Sequence, residues 1–407
     1  EGGRSATASV DKQRLRSAFV IGEVAMAFVL LSGTGLFLTS LRQLQQVNPG
    51  FNPHGLLTGT VAYSGEGYKN NQQRQESFVT AVLNNLKGVS GVKAVAATTS
   101  LPFSDKKSGA SSFAIEGRPL GPNDPGPHSD LGFATADYLK VMQIPLIAGR
   151  WISEEDRPNT QPVVVIDHRL AHKYWPNENP IGQHLSLSFR DNGDWAEVVG
   201  VVADVRADSL EEDTSDGMRY YPYSQAPNGI ASFVARTDSD PVQLTNALKQ
   251  AIAAADPTQT VFDISSIEAS VDASLASRKL IVWLLTAFAG LALLLALIGI
   301  YGLISYVTVQ RTNEIGIRMA LGAQRSNVVG LIMKSALTWV VAGLVIGVSL
   351  SFAVTSVLKH AFAEFGGGVV SSLAVSMAAL LIVGALAGLL PARKAASIDP
   401  AQTLRSE

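Results

Sequence analysis

Apolar residues gather into long runs at the two ends of the chain, and between them the pattern breaks into short runs separated by polar, Gly and Pro positions. Ser17 to Leu38 carries one charge, Glu23. At ~1.5 Å per residue it reaches about 33 Å, enough for a ~30 Å hydrocarbon layer. Leu280 to Val309 has no charge at all, and as one helix of about 45 Å it should tilt or protrude. Ser335 to Leu358 lies between Lys334 and Lys359, and Phe365 to Ala392 stops at Arg393. These runs predict membrane helices at 17–40, 280–309, 335–358 and 369–392, one followed by three. The first is too long for the ~7 to 15 residue core of a signal peptide, and no small-x-small cleavage site follows it.

The middle reads as α+β. Leu57 to Tyr63 is strand-like, Gln73 to Leu86 has helical spacing through Phe78, Val82, Leu83 and Leu86, and Val92 to Thr98 is β-rich. After a Pro/Gly-rich loop at Gly117 to Pro127, strands at Val163 to Ile166 and Glu197 to Val202 flank a helical stretch at Asp167 to Trp175. Strand, helix, strand recurs at Ser232 to Ala235, Pro241 to Ala255 and Val261 to Ile264. Two similar end pieces around a different middle predict an inserted subdomain at about 104–228. The fold class is thus a membrane protein of four transmembrane α-helices with a large α+β extracytoplasmic domain, 41–279, between helices 1 and 2.

Composition supports a membrane protein: of 407 residues only 16% are charged, 47% are hydrophobic, and mean hydropathy is +0.20. Soluble chains average about 25% charged. The net charge of −2 provides no field for a polyanion, which excludes nucleic acid as a partner. The chain lacks cysteine, so disulfides, thiolate metal sites and cysteine nucleophiles are excluded together. Cations settle the expected orientation. Lys12, Arg14, Arg16, Arg311, Arg318, Arg325, Lys334, Arg393, Lys394 and Arg405 outnumber Arg42, Arg278, Lys279 and Lys359 at the other ends of the runs, which predicts both termini inside. The segments 1–16, 310–334 and 393–407 are then cytoplasmic, and 359–368 is a short outer loop.

Catalytic motifs are missing. No G-x-x-x-x-G-K-[ST], H-E-x-x-H or G-x-S-x-G run occurs, so no catalytic residue, metal or cofactor is assigned to this chain. His168 and His172 share i, i+4 spacing without a marked third ligand, and the clusters Glu154 to Asp156 and Glu211 to Asp213 are expected on solvated surface. Glu23, inside a span, is expected to reach the headgroup region or to hydrogen-bond a neighbouring helix. Gly343 with Gly347, and Gly384 with Gly388, place small residues one turn apart for close helix packing, internal or between copies.

The run QRTNEIGIRMALGA from Gln310 to Ala323 leaves the membrane and offers a Glu314 to Arg318 i, i+4 pair. Gly322 is the expected C-terminal cap, followed by Ala323, with Ser326 capping the next helix. Arg311, Arg318 and Arg325 recur at intervals of seven, while Ile315 and Met319 form an apolar strip. Together they describe an elbow at the membrane surface.

This run closely resembles the cytoplasmic motif of FtsX-like permeases, and LPARKAASIDP from Leu390 to Pro400, followed by Leu404 and Arg405, is similar to that family's C-terminal signature. Ile144 to Arg150, Pro180 to Gly182 and Gly200 to Val205 resemble the MacB-type periplasmic core. The resemblance implies the permease of an ABC-type export system in the plasma (inner) membrane, working by mechanotransmission. A cytoplasmic ABC ATPase, holding ATP and Mg²⁺, would drive the elbow through Arg311, Glu314, Ile315, Gly316, Arg318, Met319, Gly322, Ala323 and Arg325. Further implied partners are a second permease copy or fused first half, a periplasmic adaptor and the lipid bilayer. MacB proper carries its ATPase in the same chain, a domain not found in this sequence. The opening Glu1 to Ser5 and Leu15 to Leu38 look more like the start of the second half of a duplicated, eight-span permease. An FtsX-type regulator, switching an extracytoplasmic hydrolase or sensor without transport, would use the same elbow. The size of segment 43–277 favours export.

Overall fold

The computed structural model describes residues 3–69, 71–104, 109–118, 124, 126–186, 195–210, 216–225, 229–321, 324–361 and 369–396. Along the chain the elements are α1 (Gly3–Gln45), β1 (Leu56–Ala62), α2 (Gln72–Lys87), β2 (Val92–Thr98), β3 (Ala110–Ser112), β4 (His128–Ala134), α3 (Tyr138–Met142), β5 (Leu146–Gly149), β6 (Val163–Asp167) and α4 (His168–Tyr174). There follow β7 (His184–Ser186), β8 (Trp195–Val202), β9 (Met218–Pro222), β10 (Ile230–Thr237), α5 (Thr245–Ala255), β11 (Val261–Ser266), α6 (Ile267–Ser274), α7 (Ala276–Gln310), α8 (Thr312–Ala320), α9 (Arg325–Ala361) and α10 (Val369–Ala396). They form two compact units, Glu1–Gln45 with Ser277–Glu407, and Gln46–Ala276.

In the first unit, four helices among the described residues are long and apolar enough to span a membrane: Arg14–Gln45, Ala276–Gln310, Arg325–Val354 and Val370–Lys394. Each helix outruns its apolar stretch, because intrahelical hydrogen bonds satisfy the backbone in water as they do in lipid. Residues 325–334, grouped with the elbow on polarity, are the first turns of α9. Val24 and Phe28 of α1, Val340 and Leu344 of α9, and Leu380 and Ala387 of α10 form its core. A Cβ on Gly343 would lie 2.7 Å from Val24 Cβ, and one on Gly347 2.9 Å from Phe28 Cβ. Gly384 faces Val340 and Gly388 faces Met333 and Ala336 in the same way. These glycines are therefore internal contacts, of α9 on α1 and of α10 on α9. Ser32 adds polar contacts, its hydroxyl 3.0 Å from Ser351 Oγ and its carbonyl accepting from Ser372 Oγ at 2.8 Å. Trp283, Phe288, Leu291 and Ile298 of α7 are exposed, as a lipid-facing helix requires.

In the second unit one sheet runs in the order β11-β1-β10-β2-β4-β9-β6-β8-β5, with β3 on β4 and β7 on β8. Strands from 56–98 and 230–266 make up one half and strands from 110–222 the other. The halves meet at β2 and β4 through a single register pair, Thr98 with Ala134. Pairing is antiparallel except for β4 with β9 and β6 with β8. Phe78, Val82 and Leu86 of α2 and Leu248 and Ile252 of α5 belong to one core layer, and Tyr138, Val141 and Met142 of α3 to a second. Gly149 (φ 72) pairs with Gly200 across β5 and β8, where a side chain at 200 would strike the Arg150 carbonyl.

Buried ionisable side chains pin this unit, Arg219 and Asp167 among them. Arg219 is fully buried over the Phe113 ring, 4.3 Å from its centroid, and donates to Ser129 Oγ at 2.6 Å and Ser111 Oγ at 2.7 Å. Asp167 N-caps α4 by accepting from Leu170 N at 2.9 Å and also accepts from Met218 N at 3.0 Å. Burial pushes its carboxyl up to about 7; Asp204 adds to this, and the two N–H donors and Arg169 oppose it. A raised folded pKa means that the fold favours the protonated form. Its stabilisation is complete below the ordinary value of 3.8 and is lost as pH rises through about 7. Hydrogen exchange measured from about pH 5 to about pH 8, corrected for intrinsic rate, should show protection at Leu170 and Met218 falling by up to roughly 2 to 3 kcal/mol. Constant protection would contradict this account of the carboxyl.

Candidate functional site

Between α7 and α9 the chain makes a short, well-defined excursion. Arg311 N donates to the carbonyls of both Val307 (3.1 Å) and Thr308 (3.2 Å), so α7 closes on a tightened turn before the nine-residue α8 starts. Thr312 Oγ1 donates to Val309 O at 2.9 Å, and Ile315 N to Arg311 O at 2.9 Å. Arg311 is thus the hinge residue at the break and does not share a continuous helix with Arg318.

Its two faces differ. Ile315 is 3% exposed and joins the bundle core with Val307, Val328, Ile332 and Ala392; Met319 packs beside it, and Gly316 is buried. On the other face Arg318 reaches Glu314 at 2.6 Å with both side chains about half exposed. Such a pair contributes only ~0.3 to 0.5 kcal/mol. Ile317 is 51% and Leu321 83% exposed, two apolar side chains the sequence reading left out. The signal for them was their i, i+4 spacing.

Leu321 ends α8 with φ −85 and ψ 8, its N–H bonded to Ile317 O. Gly322 and Ala323 lie outside the described residues. The cap expected of Ser326 is not made: α9 already begins at Arg325, Asn327 N bonds Gln324 O, and Ser326 sits in the first turn. Arg325 is exposed there.

The remaining candidates scatter. Glu23 Oε2 is buried against Gly299 of α7 with no hydrogen-bond partner, so the expected bond to a neighbouring helix is not formed by that oxygen. His168 Nδ1 lies 3.7 Å from Asp204 Oδ2, and no group of potential metal ligands occurs among the described residues. Asp156, expected on solvated surface, is 6% exposed. It accepts two bonds of 2.8 Å from Arg150 and one of 2.8 Å from Ser153 N. Burial pushes its carboxyl up, but these bonds prevail and hold it below its ordinary value. Glu211 to Asp213 lie outside the described residues.

A four-span bundle with such an elbow, and a mixed-sheet unit between its first and second spans, has counterparts. Residues 17–265 match the MacB-like periplasmic core domain, and residues 286–400 the FtsX-like permease C-terminal domain. The chain belongs to the FtsX-like permeases with a MacB-like core. Among relatives of this permease, the pyoverdine export ATP-binding/permease protein PvdT of Pseudomonas putida is 31% identical over 289 residues, 66% of this chain and 42% of that protein. The macrolide export ATP-binding/permease protein MacB of Marinobacter nauticus is 28% identical over 279 residues, again 66% and 42%. The match therefore spans less than half the length of either relative. The crystal structure of the periplasmic region of MacB from Actinobacillus actinomycetemcomitans aligns with 56% of the permease and 95% of that chain, at 18% identity and TM-score 0.38.

Proposed function

We propose that this permease is the membrane-spanning part of an ABC-type export system in which a cytoplasmic ATPase, separate or fused, presses on α8, and α1 and α7 relay the motion to the MacB-like domain. The observation that carries the reading is the two-faced elbow. Its inner side is locked into the bundle by Ile315, and its outer side presents Glu314, Ile317, Arg318 and Leu321. A push on the outer side must be transmitted, because close-packed side chains do not compress. Chain connectivity fits a relay, since α1 ends at Gln45, just before the second unit starts, and that unit finishes at Ala276, where α7 begins. The names of the relatives, which pair ATP-binding with permease, agree with an ATPase partner.

The reading requires the elbow and the MacB-like domain to be on opposite sides of the membrane, with both termini inside. Asn159→Cys and Ser326→Cys, both at exposed positions, test this in a chain free of other thiols. An impermeant maleimide should label position 159 in cells whose outer barrier alone is opened, and position 326 only after the inner membrane is permeabilised. The reverse pattern would end the proposal.

A further inference from the structure

Where the two halves of the MacB-like unit meet, α2 and the second half leave a cleft of about 450 Å³, within the ~300 to 1,000 Å³ of small-molecule sites. Glu76 and Leu83 line it from α2, and Glu154, Arg157 and Pro158 from the segment after β5. The buried Val79, Ile152 and Tyr223 close its floor. Contacts between the halves hold it open. The Tyr63 and Tyr223 hydroxyls lie 2.5 Å apart, Lys87 Nζ is 3.4 Å from Asp137 Oδ2, and Thr135 N donates to Ala97 O at 3.0 Å. Both core layers, moreover, draw residues from both halves. The cleft is therefore preformed, and a ligand meets walls already in place.

Its charges do not balance. Lys87 is engaged by Asp137, which leaves Arg157 as the remaining cation of the lining against Glu76 and Glu154. Neither of these carboxylates forms an ion pair among the described residues, and Arg157 donates from Nε to the Glu154 carbonyl at 3.4 Å. Asp156, next to Glu154 in sequence, is already held by Arg150. Burial and the nearby Glu154 push the Glu76 carboxyl above its ordinary value, and Arg157 opposes them. One carboxylate is thus in excess beside apolar walls, the complement of a single ammonium on an apolar body.

We propose that the cleft binds a small organic cation, its ammonium donating to Glu76 and Glu154 and its apolar body lying against Leu83 and Pro158. Hydrogen bonds to ionised carboxylates are of the charge-assisted, stronger kind. A neutral molecule of the same shape forgoes them, and an anion is repelled. The site needs neither an ATPase nor a second copy of the chain, so it stands or falls independently of the export reading.

Ligand-detected NMR with the full chain in phosphatidylcholine nanodiscs, the signal of empty nanodiscs subtracted, tests it with phenethylamine, phenethyl alcohol and phenylpropionate, which share one apolar body. Phenethylamine should bind saturably and about tenfold more tightly than the alcohol, with phenylpropionate weakest. Glu76→Gln and Glu154→Gln should each weaken the amine severalfold. Arg157→Gln should strengthen it, a gain that damage to the fold would not produce. Glu116→Gln, exposed and outside the cleft, should change nothing, and unaltered melting temperatures would show that the variants fold. Absence of saturable amine binding, equal affinity for amine and alcohol, or amine binding unchanged in both Glu76→Gln and Glu154→Gln would each overturn the proposal.

Discussion

Gly343→Leu is expected to break the α1–α9 contact and to leave the permease largely aggregated on extraction. A Cβ there already lies 2.7 Å from Val24 Cβ and 3.0 Å from the Ile21 carbonyl, so the two backbones must separate. Inside a bilayer no hydrophobic force draws them together again; close packing and interhelical hydrogen bonds hold the helices. Overpacking costs about 1 to 3 kcal/mol per site. Prising α9 from α1 also strains the Ser32–Ser351 contact, and adding Gly347→Leu should compound the loss. Gly290 and Gly302 on α7 have nothing within 4 Å of a built Cβ, so Gly290→Leu and Gly302→Leu serve as controls. Size-exclusion profiles and melting temperatures of fluorescently tagged variants should separate the two groups. Equal tolerance of all four substitutions would contradict the packing described.

The second large effect is expected at the outer face of α8. Ile317→Asp combined with Leu321→Asp should lower association with the ATPase proposed as partner by on the order of tenfold or more, since truncating a buried interface anchor costs ~2 kcal/mol or more. Both side chains are exposed, so insertion and melting temperature should stay near wild type. Arg318→Glu should weaken association as well with little effect on the fold, because the exposed Glu314–Arg318 pair contributes little. Ile315→Asp differs in kind: it buries a carboxylate among Val307, Val328 and Ile332 and should destabilise the chain itself. The readout is ATPase rate with and without permease in nanodiscs, with a pull-down alongside.

The spans were legible because lipid demands ~20 consecutive apolar residues, but their ends were not, because a helix continues through polar residues without penalty. In the second unit β1, α2, β2, β6, β8 and β10 showed in their periodicity. β4 and β9 did not. β4 starts with His128, Ser129 and Asp130, and β9 holds Arg219 and ends in Pro222. Both owe their strand form to partners distant in sequence, and Arg219 is tolerated because Ser111 and Ser129 accept its bonds. Asp156 is a similar case, since the Arg150 fork that buries it leaves no trace in an acidic run. At the elbow, the Glu314 with Arg318 pair was readable from helical spacing, but Ile315 and Gly316, expected among the residues an ATPase would drive, are buried, Ile315 in the bundle core.

Site-specific cross-linking tests the central claim most directly. With the partner ATPase present in nanodiscs, single cysteines at Ile317 or Leu321 carrying a short photoactivatable cross-linker should join the permease to the ATPase. The same cross-linker at Trp283, exposed near the opposite end of α7, should not. Cross-links from Trp283, or none from either α8 position while the complex stays intact, would contradict α8 as the place where the ATPase acts.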